Sequence, residues 1–446
     1  MRVLFLASFM PLVLLGQTAP EEFRVYTNHP RLFLRPQRLR LLKRERERQS
    51  MRWRQFETLV KASAQMPEPG LALALDAAIT EDPAVAQKAI GWALGSGASD
   101  PRQLAFVYDW CQDALTQQQS EALAAKIRSA IAKSGTPGGL SAQRDRVLGA
   151  IAIADDASHP EEAVLKSVVE NWFRAGYAPS LAEGRTILAP PDAYALIELM
   201  HAVRDNLNID LREAASGYFR TLPEYMVLAN YPAPYRAPEN EYRVPIYTSS
   251  GQPDLYQAAL ARAAGLSMVG YETNARETQY LQGWLIQDRF MMRGTFGAPY
   301  EYLWANPYQP GLSYFYLPLT FHDPHSGALF VRSSWEEEAV WFGLFRGEAQ
   351  LFDDGKITVL NAKGALASRP ITVGTASILA GRNRIKFPVD GEQMYVVGLE
   401  PRRRYQIEID DEEMREQEAD AAGTIELKFP PDRSAGIRLE EEPSEH

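Results

Sequence analysis

The stretch Glu239-Asn240-Glu241-Tyr242-Arg243-Val244-Pro245-Ile246-Tyr247 gathers side chains able to move protons and hold anions. A positioned phenol can give or take a proton. The planar fork of Arg243 matches a carboxylate, although it could equally cap a neighbouring carbonyl. The segment is polar and bounded by prolines, so it reads as a loop ahead of a helix that begins near Pro253. A second chemistry is suggested by Asp109 and Asp155-Asp156, which could act as the paired carboxylates of a glycosidase if they face one cleft about 5–10 Å apart. Their positions, on an amphipathic helix and at a helix end, fit a structural role as well. His201 lies on an apolar helix face and reads as a satisfied core histidine. Tryptophans such as Trp284 and Trp304 could stack on sugar rings, but burial is their commoner fate. The sequence contains neither a nucleophile-elbow motif nor a glycine-rich phosphate loop.

Composition narrows the classes further. The 446 residues are 46% hydrophobic and 23% charged, a globular mixture with enough length for two or three domains. One cysteine, Cys111, excludes an intrachain disulfide or a multi-cysteine metal site, and six histidines do not suggest a histidine-rich metal centre. No cofactor is implied. Gln406–His446 holds 14 acids and 4 bases, which accounts for the whole net charge of −10. The rest of the chain balances, so nucleic acid is not an expected partner.

Residues 1–19 resemble an export signal: Arg2, then an apolar run from Val3 to Leu15, then small residues. That run is too short to span a bilayer comfortably. The expectation is a secreted or periplasmic protein with no membrane segment after signal removal.

The elements that must position these groups change character along the chain. Helical patterns dominate from about Pro36 to Trp304. Leu104, Val107, Tyr108, Cys111 and Leu115, for example, recur at helical spacing. Other predicted helices cover Arg35–Arg48, Thr116–Ala132, Val147–Ala154, Pro160–Arg174, Ala193–Asn206, Leu211–Ala229 and Pro253–Gly265. Glycine and proline clusters separate many of them, as expected for stacked helical hairpins forming a toroid. Beyond Pro307–Pro318, short alternating runs predict strands at Ala328–Arg332, Ala339–Phe345, Ile357–Leu360, Met394–Val397, Tyr405–Ile409 and Thr424–Phe429. Helices followed by strands imply two successive domains rather than an interleaved sheet.

Four stretches carry a family resemblance: His29-Pro30-Arg31-Leu32-Phe33-Leu34; Leu104-Ala105-Phe106-Val107-Tyr108-Asp109-Trp110 with the following Ala114-Leu115; Gly327–Trp335; and Tyr395–Leu399 with Pro401 and Tyr405. In these the chain resembles the heparinase II/III-like polysaccharide lyases. The resemblance implies an N-terminal α/α toroid (an incomplete barrel of helical hairpins) over 24–310 and a C-terminal antiparallel β-sandwich over 318–435. An acidic tail would follow at 436–446. It also implies an acidic, uronic-acid polysaccharide as partner and β-elimination as the chemistry.

In that family a carboxylate neutraliser (Asn or His), a tyrosine acid/base and a sandwich histidine cooperate. By resemblance, Tyr247 is the preferred acid/base and Tyr242 the second choice, with Arg243 and Asn240 binding substrate. The neutralising position falls near Asp192 and Tyr194, with an anion at 192 where Asn or His is expected. The family's His-x-His-x-Asp-x-Gly segment matches Gly347–Gly355, keeping Asp353 and Gly355 but placing Ala349 and Leu351 at the histidine positions. The nearest histidines are His322 and His325. The expectation is therefore a divergent lyase-like protein with incomplete machinery. Its alternatives are a non-catalytic glycan-binding or scaffold protein and a glycosidase using paired aspartates.

Overall fold

The computed structural model describes residues 23–25, 28–133, 138–155, 160–183, 187–237, 241–248, 252–287, 291–360, 369–380, 385–430 and 434–441. The expected signal at 1–19 and Asn240 lie outside the described residues, as do Asp156 and the last five residues.

Fourteen α-helices are described: α1 (Pro36–Glu47), α2 (Met51–Lys61), α3 (Pro69–Thr80), α4 (Pro83–Leu94), α5 (Pro101–Trp110), α6 (Gln117–Lys133), α7 (Leu140–Ala152), α8 (Glu162–Lys166), α9 (Ala178–Ala182), α10 (Pro190–Leu207), α11 (Ser216–Leu228), α12 (Leu255–Tyr271), α13 (Arg276–Gln287) and α14 (Gly294–Trp304). Prolines open α1, α3, α4, α5 and α10, where a missing N–H costs nothing. Asp82, Asp100 and Asp254 cap α4, α5 and α12 by accepting first-turn N–H bonds.

Helices α3, α5, α7, α10, α12 and α14 pack each on the next, and α14 returns against α2 and α3, closing a ring. These inner helices are apolar on most faces. The Leu/Ala-rich α3 and the Ala-rich α12 bury most of their length, as a helix enclosed by neighbours must. The expected toroid is thus present.

The strands are β1 (Tyr235–Arg236), β2 (Glu241–Tyr242), β3 (Thr320–His322), β4 (Leu329–Arg332), β5 (Trp341–Phe345), β6 (Glu348–Asp353), β7 (Lys356–Leu360), β8 (Ile371–Val373), β9 (Ala376–Ala380), β10 (Ile385–Asp390), β11 (Gln393–Val397), β12 (Arg404–Ile409), β13 (Glu413–Glu418), β14 (Ile425–Lys428) and β15 (Ser434–Glu441). Apart from the β1–β2 hairpin they form three sheets, ordered β3-β4-β5-β6-β7, β14-β11-β9-β8 and β10-β15-β12-β13. All pairs are antiparallel except β9 with β11.

The three sheets are stacked. Phe330, Trp341, Phe345 and Phe352 of the first sheet join the core of the helical ring. Its opposite face, with Leu329, Val331, Phe342 and Ala349, packs on Ile378, Tyr395 and Val397 of the second. The second sheet's other face, with Leu379, Met394 and Val396, packs on Ile407, Ile409 and Ile437 of the third. Alternation along β9 and β11 supplies both faces, so the middle sheet is apolar on both sides. Instead of one two-sheet sandwich, the C-terminal region holds two interlayer cores. The boundary expected at 435 falls inside β15, which pairs with β10 and β12.

Candidate functional site

After α11 the chain leaves the helices and returns as a narrow excursion. Tyr231 N–H donates to Val244 O (3.2 Å), Ile246 N–H donates to Ala229 O (2.8 Å), and Tyr235 pairs with Tyr242 across β1 and β2. This fold-back places Asn230, Arg243 and Tyr247 on one wall of a cleft of about 250 Å³. The start of α10 and the side of α12 form the opposite wall, with Trp284 of α13 nearby. Phe345 and Arg346, from the turn joining β5 to β6, close it from the sheet side. In that turn Arg346 and Gly347 both have positive φ (49° and 79°), the left-handed pair a tight hairpin requires.

Tyr247 is anchored by its backbone. Gln350 on β6 is fully buried; its Nε2 donates to Tyr247 O (2.9 Å) and its Oε1 accepts from Tyr231 Oη (2.8 Å). Burial, with a smaller effect from Tyr235, pushes the Tyr247 phenol above its ordinary value. Arg243 donates to Pro232 O (2.5 Å) and lies 3.4 Å from Glu337. Arg346 donates to Ile187 O (3.0 Å) and ion-pairs with no carboxylate among the described residues.

Of the six residues expected at the site, Tyr247 and Arg243 line this cleft. Three others do not. Tyr242 is buried in β2 beneath the excursion. Asp192 sits in the first turn of α10, where its charge adds to burial in raising the Tyr177 phenol. Tyr194 is enclosed in the ring, its hydroxyl accepting from Trp304 Nε1 (2.8 Å). The spacing of Asp192 and Tyr194 on α10 sends the second one inward, away from the cleft.

Along β6, Gln350 and Phe352 face the helical ring, whereas Ala349 lies in the core between the first two sheets, with Leu351 packed against it. Positions 349 and 351 therefore point away from the cleft, and the absence of histidine there does not decide its chemistry. His322 and His325 line an adjoining cavity with Tyr218 and Tyr225. His322 Nε2 lies 3.1 Å from Asp420 Oδ2, and neither histidine lines the cleft of Tyr247.

The suggested aspartate pair is committed elsewhere. Asp109 accepts from the backbone N–H groups of Arg31 and Leu32 (2.9 and 2.8 Å) and lies 2.6 Å from His29 Nδ1. Asp155 receives Arg31 and Tyr108 and lies 3.1 Å from His29 Nε2. Together they fasten the segment preceding α1 to the ring. His201 is buried with Nε2 2.9 Å from Ser267 O, and burial lowers its imidazole to about 4.

Inside the ring, Glu198 is held by Arg102 (2.7 Å) and Arg144 (2.7 Å), and Glu68 joins through Arg102 and Tyr300. Burial works to raise the Glu198 carboxyl, but the two guanidiniums hold it below its ordinary value. Asp145 beside Arg144 is raised to about 6, chiefly by burial. Among the described residues no cluster of three or more His, Cys, Asp or Glu is arranged to hold a metal, and no helix is long and apolar enough to cross a membrane.

No protein-family model matches the chain, and no curated protein matches it in sequence. Among solved structures, it is similar to the heparan sulfate lyase HepC from Pedobacter heparinus, at 12% identity over 84% of this chain and 75% of that one, with a TM-score of 0.39. A structure described as a glycoside hydrolase matches at 9% identity over 84% and 71%, with a TM-score of 0.32. A GH127 beta-arabinofuranosidase matches at 9% over 95% and 80%, with a TM-score of 0.30. Likenesses this distant transfer no residue role to this chain.

Trp284, a candidate for stacking on a sugar, lines the cleft; Asn230 and Arg346 in its lining, and Gln350 behind Tyr247, lie outside the sequence expectation. A signal existed for Arg346: Arg-Gly between two strand-like runs marks a hairpin turn. Nothing local marks Asn230 or Gln350, which reach the site through long-range packing.

Proposed function

We propose that the chain recognises an acidic oligosaccharide in the cleft between the helical ring and the first sheet. The observation that carries this reading is Arg346: a guanidinium on a sharp turn, lining an otherwise largely apolar cleft, with no acidic partner among the described residues. A uronate carboxylate can take its fork bidentately. Trp284 offers a ring face for a sugar, and the Asn230 amide a neutral hydrogen-bonding group.

Elimination needs a base for the C5 proton and an acid for the leaving oxygen. Tyr225 and Tyr247 are the phenols lining the cleft; burial raises both, Tyr225 the more strongly, and the raised value of Tyr247 keeps it protonated near neutral pH, suited to give a proton rather than take one. Binding is therefore the primary reading. A lyase working through Tyr247 would gain activity toward alkaline pH. The export signal expected at 1–19 would carry the chain to where such polymers are met.

The test is calorimetric titration of uronate oligosaccharides, paired with an assay for the unsaturated uronate product over a pH series. Binding that weakens in Arg346→Ala, without product at any pH, supports recognition without turnover. Product that rises with pH and vanishes in Tyr247→Phe supports the lyase. An Arg346→Ala variant that binds like the parent refutes the assignment.

A further inference from the structure

The first turn of α10 and the N-terminal half of α12 line the sheet-facing cleft. At the other end, the C-terminal turns of α10 and α12 border a second cavity of about 620 Å³, to which no strand contributes. Along α10, residues 190 and 204 are 14 residues apart, so the two cavities are separated by roughly 20 Å of helix. Arg35, Arg38, Arg40 and Arg44, from α1 and its lead-in, line this second cavity together with Arg204. Asp205 is the one carboxylate in the lining.

Asp205 is already used by Arg204 (3.0 Å), which also stacks over Tyr271 at 3.7 Å. Arg38 donates to the carbonyls of Trp304 (3.1 Å) and Ala305 (3.4 Å), and burial drives its guanidinium down to about 10. Arg40 and Arg44 have no side-chain hydrogen bond or ion pair among the described residues. The first turn of α1 opens into the same space, with no acidic residue and no side-chain cap, so its N–H groups add to the positive field.

An independent observation points to a ligand. Gln309 lines the cavity, and both polar atoms of its amide are covered and without a partner among the described residues. A buried amide left unpaired costs free energy and is rare unless something else completes it. Tyr308, half-exposed at the rim, presents an aromatic face beside Arg48.

We infer that this cavity is a second anion site, taking a sulfate- or carboxylate-bearing saccharide unit. The oxyanion would sit among Arg38, Arg40 and Arg44, the sugar against Tyr308, and the Gln309 amide, covered in the free protein, would turn into the cavity to donate to a hydroxyl or to the oxyanion. The volume exceeds that of an inorganic ion, which favours a sugar-sized ligand. This inference uses the acidic-glycan reading of the cleft for its choice of saccharide, but none of its residues.

The experiment is titration of the full chain with a sulfated tetrasaccharide, a neutral tetrasaccharide of equal length, and sodium sulfate. The proteins compared are the parent, Arg40→Ala/Arg44→Ala, Gln309→Leu and Arg346→Ala. Two binding events are expected for the sulfated sugar in the parent. The double variant should weaken one of them by about tenfold. Gln309→Leu should weaken the same event while leaving the melting temperature of the free protein unchanged or higher, because no described bond is lost. Arg346→Ala should weaken only the other event. Sulfate binding as tightly as the saccharide would overturn the sugar assignment. Parent-like titration of both the double variant and Gln309→Leu would overturn the site. If Arg346→Ala has no effect while the double variant does, the cleft reading fails and this one stands.

Discussion

Replacing Gln350 with leucine tests the junction that holds Tyr247. The side chains are similar in volume, so the change removes hydrogen bonds with little cavity formation. Tyr231 Oη, buried, loses its acceptor at 2.8 Å, and the Tyr247 carbonyl loses its donor at 2.9 Å. Glu348 also loses a donor at 2.6 Å, but it is partly exposed and can turn to water. Two groups losing their partners at about 1–3 kcal/mol each, less about 1 kcal/mol for the added apolar contact, give a net loss of about 1–5 kcal/mol. Urea unfolding should show a lower midpoint at unchanged slope. The decisive comparison is a cycle with Tyr231→Phe. In the parent, removing that hydroxyl should cost about 1–2 kcal/mol; in Gln350→Leu it should cost nothing, because the hydroxyl is already stranded. An equal cost in both backgrounds would refute the claim that this amide ties the tyrosine loop to the sheet.

Three further outcomes follow from paired charge. Glu198→Gln takes from Arg102 and Arg144 the fully buried carboxylate they share, leaving each with one flanking acid, and should destabilise the fold by about 3 kcal/mol, read by thermal or urea unfolding. Burial works to lower the His29 imidazole, yet its bonds to Asp109 and Asp155 raise it above 6.5, so its stabilising contribution is full below that value and lost as pH rises through the raised one. The melting-temperature gap between the parent and His29→Gln should therefore be widest near about pH 5 and narrow toward about pH 9. For Asp155 the sign reverses: burial opposes ionisation, but His29 and Arg31 hold its carboxyl at about 2, so its contribution is present above its ordinary 3.8 and fades as pH falls toward 2. Acid melting curves of Asp155→Asn should converge with the parent in that range.

Where one residue's pattern decides an element, the sequence was readable. Helical spacing located α1 and α6, and alternation β4, β5, β11 and β12, within a residue or two, while α10 begins three residues before the expected Ala193. Helices α3 and α14 escaped because enclosed helices lose their amphipathic stripe. Strand β13 escaped because Glu413–Glu418, at a solvated sheet edge, carries no apolar alternation. Strand β15 was hidden in the acidic count of the C-terminus. At the site, Tyr247 and Arg243 could be found because they share one local loop. Which of two alternating positions on β6 faces the ring depends on the packing of whole layers, so Gln350 was missed and Ala349 and Leu351 were given a weight they do not carry. The basic run from Arg38 to Arg54 could meet an anionic glycan but is more commonly a solvated helical face; the arrival of Arg204 from α10 and Gln309 from the segment after α14 makes its first arginines a cavity wall.

The surplus acids of the C-terminal segment are concentrated in the third sheet, the layer stacked farthest from the ring, while unpaired guanidiniums cluster at the ring's opposite mouth. The molecule thus has a positive and a negative pole. A polyanionic chain drifting near it would experience a torque that swings the sheet stack away and brings the guanidinium end forward before any contact forms. Such steering operates over a Debye length of roughly 10 Å at 0.1 M salt and collapses in stronger electrolyte.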